Sequence, residues 1–595
     1  MKNLPPVYTE ENDCQDCYKC IKACPVKAIK IESGSASIIP ELCIYCGSCT
    51  LICPANAKKV RNDLDELKQS LMRKEKIIVS LAPSYLSEYA DENIGNVLAA
   101  FREAGFGKVS QTAIGAEKVA EETKKWLDEQ PNGVYISSCC PSAVQLIRKY
   151  YPKCSPAIAP VYSPMVAHAA FLKQLHPDAK VAFVGPCASK KTELDEFGDK
   201  IDFVLTFKEV KELFEDMGIY FEFMKPTEED VFYPFNATRG NLYPIDGGML
   251  ANMINSITTV EARINNNMGS GVKARYMTFS GVANIKEILE DVETLSKDCK
   301  TFLEIMACEG GCIKGPCSNV NASSATKRVK VLQGVEVGKT QNSHQDVYDN
   351  LDVKADYSYI PQIEDKEYTQ QEIQEALLRV NKKNESDELN CGGCGYDSCR
   401  SFAKALIDGR AENDMCVSYM RRIAQDKTNI LLKKLPQGIV IVNDNLRIVD
   451  ANEKFADILG GEVKMIFEAN PGLYGADITK LLPFHRFFST VLSTGVDVIE
   501  QDIRNGDDYY SLSVFSVQDH SLVCGILQNL HAPEVRKDLV LKRTQEVIME
   551  NMKVVQKIAF LLGENASYTE AMLNSIVESH QENGNKEEEP LTFEL

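Results

Sequence analysis

Histidine is scarce and scattered in this chain, with seven residues among 595. Zinc centres built on mixed Cys and His ligands are therefore not indicated. Positive charge is also short: Lys and Arg total 66 against 85 Asp and Glu, a net charge of −19. A nucleic-acid or anionic-membrane surface needs clustered basic residues, and this balance argues against both. Long apolar runs are missing, since none approaches the roughly 18 to 20 residues of a membrane-spanning helix. The opening segment MKNLPPVYTEENDC lacks the apolar centre of a secretory signal. These absences predict a soluble, cytoplasmic protein with no membrane span and no nucleic-acid partner.

Cysteine, by contrast, is abundant, with 21 residues. In a cytosolic chain such a number reads as metal ligands before disulfides. A hydrophobic content of 44% supports well-buried cores. The length suggests about four domains.

Eight of the cysteines fall in two runs of one pattern. Cys14, Cys17, Cys20 and Cys24 precede Pro25, and Cys43, Cys46, Cys49 and Cys53 precede Pro54. This is the bacterial two-cluster ferredoxin spacing, in which the fourth cysteine of each run crosses to the other cluster. One [4Fe-4S] cluster then takes Cys14, Cys17, Cys20 and Cys53, and the other takes Cys43, Cys46, Cys49 and Cys24. A pair of zinc ribbons is disfavoured, because zinc sites rarely use four evenly spaced ligands twice. The segments IKIES and ASIIP between the runs fit a small sheet. The predicted role of residues 1–65 is electron relay.

Three short segments follow in the middle of the chain. They are Ser137-Ser138-Cys139-Cys140-Pro141, then Gly185-Pro186-Cys187-Ala188-Ser189-Lys190-Lys191, then Met306-Ala307-Cys308-Glu309-Gly310-Gly311-Cys312. Thiolates gathered from distant loops suit an iron–sulfur cluster, because soft sulfur ligands favour it. From Lys76 onward, apolar strand-like runs such as KIIVSLAPSY, NGVYISSCCP and KVAFVGPCAS alternate with helical stretches such as GNVLAAFREAGF and TFKEVKELFEDMG. Such alternation predicts an α/β body over 76–362. Asp246-Gly247-Gly248-Met249 is placed to start a helix, with Tyr243 near it.

The three segments, preceded by a ferredoxin, resemble the active-site motifs of [FeFe] hydrogenases. The resemblance implies an H-cluster, a [4Fe-4S] cubane joined to a two-iron unit bearing CO, CN and a bridging dithiolate. It makes Cys140, Cys187, Cys308 and Cys312 the cubane ligands, with Cys312 bridging to the two-iron unit. Cys139 becomes the proton-relay thiol, Lys190 the donor to an iron-bound cyanide, and Met306 a packing neighbour. The chain also departs from the family pattern. Gly185 stands where the second motif has methionine. Ser142-Ala143 stand where the first has tryptophan, and Gly315-Pro316-Cys317-Ser318 stand where the third runs into glycines and Gln-Pro. Upstream, Glu117 to Glu129 supplies Glu121 and Glu122 as candidate proton-path carboxylates, but it also carries Lys124 and Lys125.

Cys391, Cys394, Cys399 and Cys416 form a later motif within 365–425 that resembles the small [4Fe-4S] module of several redox enzyme subunits, with zinc as the competing occupant. The helical stretch SFAKALIDGRAEND would fold Cys416 back to the others. With the two ferredoxin clusters, this gives three further [4Fe-4S] clusters. Residues 431–530 resemble a PAS domain of α+β type on QGIVIVNDNLRIVDANEKFADILG, with Asn452 as a polar hook at a helix start. DDYYSLSVFSVQ and SLVCGILQNL alternate like antiparallel strands. Residues 535–580 read as a heptad-like signalling or dimerisation helix through Leu539, Ile548, Met552, Val555, Ala559 and Leu562. Residues 581–595 read as a disordered acidic tail.

The fold class is thus a multidomain α/β chain: ferredoxin-like domain, H-cluster domain, small cluster module, PAS domain and C-terminal helix. The leading expectation is a hydrogenase acting on H2 and protons and serving as a redox or H2 sensor. Its expected partners are an external electron carrier such as ferredoxin, a second copy of the chain, and a signalling protein met through the PAS domain and helix. Two alternatives stand beside it. One is a catalytic, ferredoxin-linked hydrogenase using its PAS domain for dimerisation or docking. The other is a non-catalytic iron–sulfur scaffold lacking the two-iron unit.

Overall fold

The structure, a computed structural model, describes residues 4–254 (except 33), 274–295, 299–335, 344–357, 363, 366–530 (except 506 and 507), 545 and 547–553. The chain divides into two compact units, Met1–Met420 and Arg421–Leu595.

The first unit opens with four short strands, β1 (Val7–Thr9), β2 (Ile29–Glu32), β3 (Ser35–Ile38) and β4 (Lys58–Val60). β1 pairs antiparallel with β4, and β2 with β3, so IKIES and ASIIP form the small sheet expected of them. Two one-turn helices, Lys19–Ala23 and Ser48–Ile52, carry Cys20 and Cys49, and Cys24 and Cys53 close them. Each helix thus ends at the residue before a proline, whose ring disfavours helical geometry there.

The central body contributes β5 (Ile77–Leu81), β6 (Lys108–Gln111), β7 (Gly133–Ile136), β8 (Lys180–Gly185), β9 (Phe203–Thr206), β10 (Ala274–Ser280) and β11 (Lys300–Met306). They form two parallel sheets, ordered β6-β5-β8-β9 and β10-β11-β7. Parallel strands covered on both faces read as continuous apolar runs, and β5 is buried at every position. Helices link the strands, as the alternating pattern predicts. GNVLAAFREAGF supplies Ile94–Glu103, and TFKEVKELFEDMG supplies Phe207–Asp216 behind a Thr206–Glu209 capping box.

The ferredoxin segment is bolted to this body through buried charge. Arg61 grips Asp195 with two nitrogens at 2.9 and 3.0 Å. The fully buried Lys191 ammonium donates to Asp63 at 2.8 Å, Glu209 at 2.9 Å and the Val204 carbonyl at 2.9 Å. Three acceptors for three N–H groups leave this buried charge satisfied.

The cluster module adds helices Gln370–Arg379 and Cys399–Ile407 to the first unit. Phe402, Ala403, Cys399 and Cys416 share one apolar core with Cys20, Ile21 and Cys24 of the ferredoxin segment.

The second unit holds an antiparallel sheet of β12 (Gly438–Asn443), β13 (Ile448–Ala451), β14 (Val498–Asn505), β15 (Asp508–Gln518) and β16 (Leu522–Asn529), ordered β13-β12-β16-β15-β14. Helices Glu453–Leu459, Gly461–Ala469 and Arg486–Thr494 fill the long crossing from β13 to β14. Asn452 is the expected hook: its Oδ1 accepts from Ile439 N at 2.7 Å and Phe455 N at 3.0 Å, and its amide donates to the Gln437 carbonyl at 2.8 Å. Residues 547–553 are helical, with Ile548 and Met552 exposed. The rest of the helix predicted over 535–580, including Leu539, Val555, Ala559 and Leu562, and the tail 581–595 lie outside the described residues.

Candidate functional site

The middle cysteines all sit just beyond the C-terminal ends of parallel strands, where α/β sheets place their sites. Cys139 and Cys140 follow β7, Cys187 follows β8, and Cys308 and Cys312 follow β11. β7 and β11 are direct neighbours, with Ile136 opposite Leu303. Beyond that register Ser137 N donates to the Leu303 carbonyl at 2.9 Å, and Ile305 N donates to Ser137 Oγ at 3.1 Å. This clamp holds the first and third cysteine turns side by side. Residues separated by 50 to 170 positions thereby line one cavity that includes Cys139, Cys140, Cys187, Cys308, Cys312, Lys190 and Met306.

Burial first, and then the charge of neighbouring cysteines, pushes the Cys140, Cys308 and Cys312 thiols up. Thiolates so close and so dry need a cationic centre among them, and iron supplies one. Cys140 Sγ also accepts from Ala307 N at 3.5 Å. Two further polar atoms of the cavity wall, Ser84 Oγ and Tyr243 Oη, are buried without a partner among the described residues. A soft-donor quartet beside unpartnered hydroxyls fits a cluster bearing polar ligands. At the third turn Gly311 adopts φ +92°, and a methyl group there would lie 2.4 Å from the Pro244 carbonyl oxygen, so the turn closes only with glycine.

Cys139 points elsewhere than Cys140. Its Sγ donates to Met249 Sδ at 3.6 Å, and burial holds its thiol protonated well above the usual range. Met249 lies in helix Gly248–Met253, which begins where Asp246-Gly247-Gly248-Met249 predicts one. Lys190 opens helix Lys190–Glu196 and donates to Glu193 Oε2 at 2.7 Å and to the Cys139 carbonyl at 3.4 Å. Burial opposes its charge, but the Glu193 carboxylate outweighs that and raises its pKa. Ser163 Oγ steadies the same Glu193 oxygen at 3.0 Å.

Two acidic groups of the site escape a motif-based reading. Glu193 lies three residues after Lys190, a spacing that pairs charges on a helix. Glu304 is the one charged residue in the six buried positions of β11. It accepts from Met249 N at 3.2 Å and Leu250 N at 3.1 Å, and burial pushes its carboxyl up to about 7. A lone carboxylate in an apolar parallel strand was the available signal.

The upstream carboxylates are engaged away from the cavity. Lys125 holds Glu121 at 2.7 Å and Glu122 at 3.0 Å, and Lys118 meets Glu122 at 3.1 Å. Gly185 also has a structural reason: a methyl group there would lie 2.7 Å from Phe183 Cζ and 3.0 Å from Ala82 Cβ. Phe183 fills the wall on that side of the cavity.

Two of the other quartets each line one pocket: Cys24 of the first run with Cys43, Cys46 and Cys49 of the second, and Cys391 with Cys394, Cys399 and Cys416. Backbone N–H groups donate to these sulfurs, Ala28 N to Cys24 at 3.3 Å and Tyr45 N to Cys43 at 3.3 Å. Cys14 and Cys17 lie near Cys20, and Cys53 ends the second helix. Cys46 lines both the ferredoxin pocket and the central cavity. Gly47, at φ +78°, lets the loop approach Pro316, which a methyl group would meet at 2.5 Å. Among the described residues, no three His, Cys, Asp or Glu side chains are spaced to hold a single metal ion.

Comparison with known proteins agrees with this layout. Residues 75–316 match the family of the iron only hydrogenase large subunit, C-terminal domain, and residues 6–54 match a 4Fe-4S dicluster domain. Residues 387–418 match an Fe-S cluster family and 428–493 a PAS domain. Iron hydrogenase 1 of Clostridium pasteurianum is 26% identical over 44% of this chain and 53% of its own length. The NADP-reducing hydrogenase subunit HndD of Solidesulfovibrio fructosivorans is 25% identical over 54% of this chain and 64% of its own. The cytosolic Fe-S cluster assembly factor NAR1 of Encephalitozoon cuniculi is 26% identical over 49% of this chain and 82% of its own. The chain thus spans less than two thirds of the length of Iron hydrogenase 1 and of HndD.

Proposed function

We propose that this chain, which carries an iron-only hydrogenase large-subunit domain beside a 4Fe-4S dicluster domain and a PAS domain, interconverts H2 with protons and electrons at an H-cluster. In this reading Cys140, Cys187, Cys308 and Cys312 would hold the cubane, and Cys312 would also carry the two-iron unit. When bound, the cluster supplies an iron site at which dihydrogen is split or formed. The protein does the rest. Cys139 holds and passes the proton at Sγ, where Met249 Sδ keeps the S–H oriented. The Lys190 ammonium, fixed by Glu193, offers its remaining N–H to an anionic ligand in the cavity. Met306, Met249 and Phe183 keep water off the reacting centre. Cys24, Cys43, Cys46 and Cys49 would hold a cluster that supplies electron relay between the cavity and an external carrier, since Cys46 borders both pockets.

One observation carries this reading above all: the Cys139 thiol and the buried Lys190 stand in the same cavity as the four ligand cysteines. A scaffold needs the quartet but neither of those. The likeness to NAR1 favours a second reading, an iron–sulfur protein without the two-iron unit. Infrared spectroscopy of chain matured in a host with the hydrogenase accessory proteins separates them. Bands from bound CO and CN are the expected result; their absence from iron-loaded protein leaves the scaffold.

The PAS domain, the extra cluster module and the segment 535–580 have no task in bulk turnover. We assign them to sensing, with redox state or H2 biasing a two-state element that a partner reads in the cytoplasm. The rival use is dimerisation or carrier docking. A sensor turns over slowly with reduced ferredoxin and binds its partner differently when oxidised and reduced. Fast turnover with redox-blind binding leaves the PAS domain as a docking or dimer module.

A further inference from the structure

The cluster module is packed directly against the ferredoxin segment. Gly395, at φ +92°, comes so close that a methyl group on it would lie 3.1 Å from both Ile21 Cγ2 and Lys22 N. Ile31 N of β2 donates to the Arg410 carbonyl at 3.3 Å. Cys20, Ile21 and Cys24 share an apolar core with Tyr396, Phe402 and Cys416. The contact therefore sets the module's quartet against cysteines of both ferredoxin quartets, Cys20 of one and Cys24 of the other, within one buried core.

Tyr396 stands at the junction. Its backbone N–H donates to the Cys394 sulfur, and its ring is buried, with 4% exposed. Its hydroxyl has no partner among the described residues. Tyr396 also shares one apolar core with Cys24 of the ferredoxin segment, and Cys394 of the module packs against that core. One buried aromatic side chain thus packs in a common core with a ligand from the module's quartet and with Cys24. The module also has two unlike faces: Cys399 and Cys416 are buried, whereas Cys391 is exposed.

We infer that the cluster held by Cys391, Cys394, Cys399 and Cys416 exchanges electrons directly with the ferredoxin cluster that takes Cys24, by way of Tyr396, and gives the chain a second electron port at Cys391. This rests on the reading of both quartets as [4Fe-4S] ligands. Each transfer moves one electron: the ferredoxin cluster is oxidised by one unit, the module's cluster is reduced by one, and no bond or proton moves. H2 oxidised at the central cavity supplies the electron in the proposed function; dithionite supplies it in the test. Tyr396 is not itself oxidised. It fills the gap with packed atoms in place of a void.

The test uses the full chain, reconstituted without oxygen with iron and sulfide and reduced with dithionite. Iron content and the microwave-power saturation of the reduced-cluster resonances are compared with those of the Cys391→Ala/Cys394→Ala double variant. The double variant should lose about four iron atoms, and the remaining ferredoxin resonances should sharpen and saturate at several-fold lower power. Rapid-mixing reduction should show the module's cluster filling several-fold more slowly in Tyr396→Ala, with Tyr396→Phe close to the natural chain. Loss of the iron with unchanged saturation would put the clusters out of contact and overturn the inference. Unchanged iron would remove the module's cluster and the port with it, yet leave the central H-cluster reading to its own infrared test.

Discussion

Cys139 and Cys140 adjoin in sequence, yet the structure gives them different work. Cys140 caps a helix and turns toward three other thiols, whereas Cys139 faces Met249 and the Lys190 side of the cavity. Replacing Cys139 by alanine should lower H2 turnover by about 100-fold or more, the usual worth of a positioned acid–base group, while iron content and infrared bands persist. Unchanged turnover would show that protons leave another way. His168 marks a second residue-scale effect. It is fully buried between Ser80 Oγ at 2.7 Å and Ser110 Oγ at 2.9 Å, and burial lowers its pKa from 6.5 to about 3. Below pH 6.5 the unfolded chain takes up a proton that the folded chain refuses. Stability is therefore full above 6.5 and falls as pH drops toward 3, by about 1.4 kcal/mol per pH unit for this one group. Melting temperatures between pH 6.5 and 5 should fall less steeply in His168→Gln; equal slopes would place the acid sensitivity elsewhere. The cysteines were legible in the sequence because their spacing is a local, rigid code. Glu304 was not, because a charge in an apolar run carries no spacing and gains meaning only when Met249 and Leu250 fold onto it.

At the scale of elements, the Asn452 turn shows how much one polar side chain organises. It ties β12 to the helix that follows β13 through three hydrogen bonds, buried or nearly so. Asn452→Ala removes all three side-chain hydrogen bonds, leaving Phe455 N only the backbone carbonyl of residue 452 at 3.1 Å, and should lower the stability of the second unit by about 2 kcal/mol. Calorimetry should show its transition move down while that of the first unit stays; a joint shift would mean that the two units unfold together. Most individual strands and helices could be read from periodicity, as IKIES, KVAFVGPCAS and TFKEVKELFEDMG show. Their neighbours could not. That β11 lies between β10 and β7, so that Ser137 meets Leu303 and Ile305, is a pairing across about 170 residues that no local pattern encodes.

For the whole molecule, the division at Met420 separates all four cysteine sites from the PAS domain. A chain ending at Met420 should keep its full iron content, its infrared bands and its turnover, and lose only redox-dependent partner binding. Loss of iron on truncation would show that the first unit does not hold its clusters alone. Within the body, Phe183 and Gly185 are two residues apart on β8 and occupy one space between them. A lineage passing between this wall and one with a bulky residue at 185 cannot take the steps in either order without an overcrowded or hollow ancestor. The pair is epistatic: saturation scanning at 185 alone will find only glycine tolerated, and the door to other walls opens only when 183 is randomised with it.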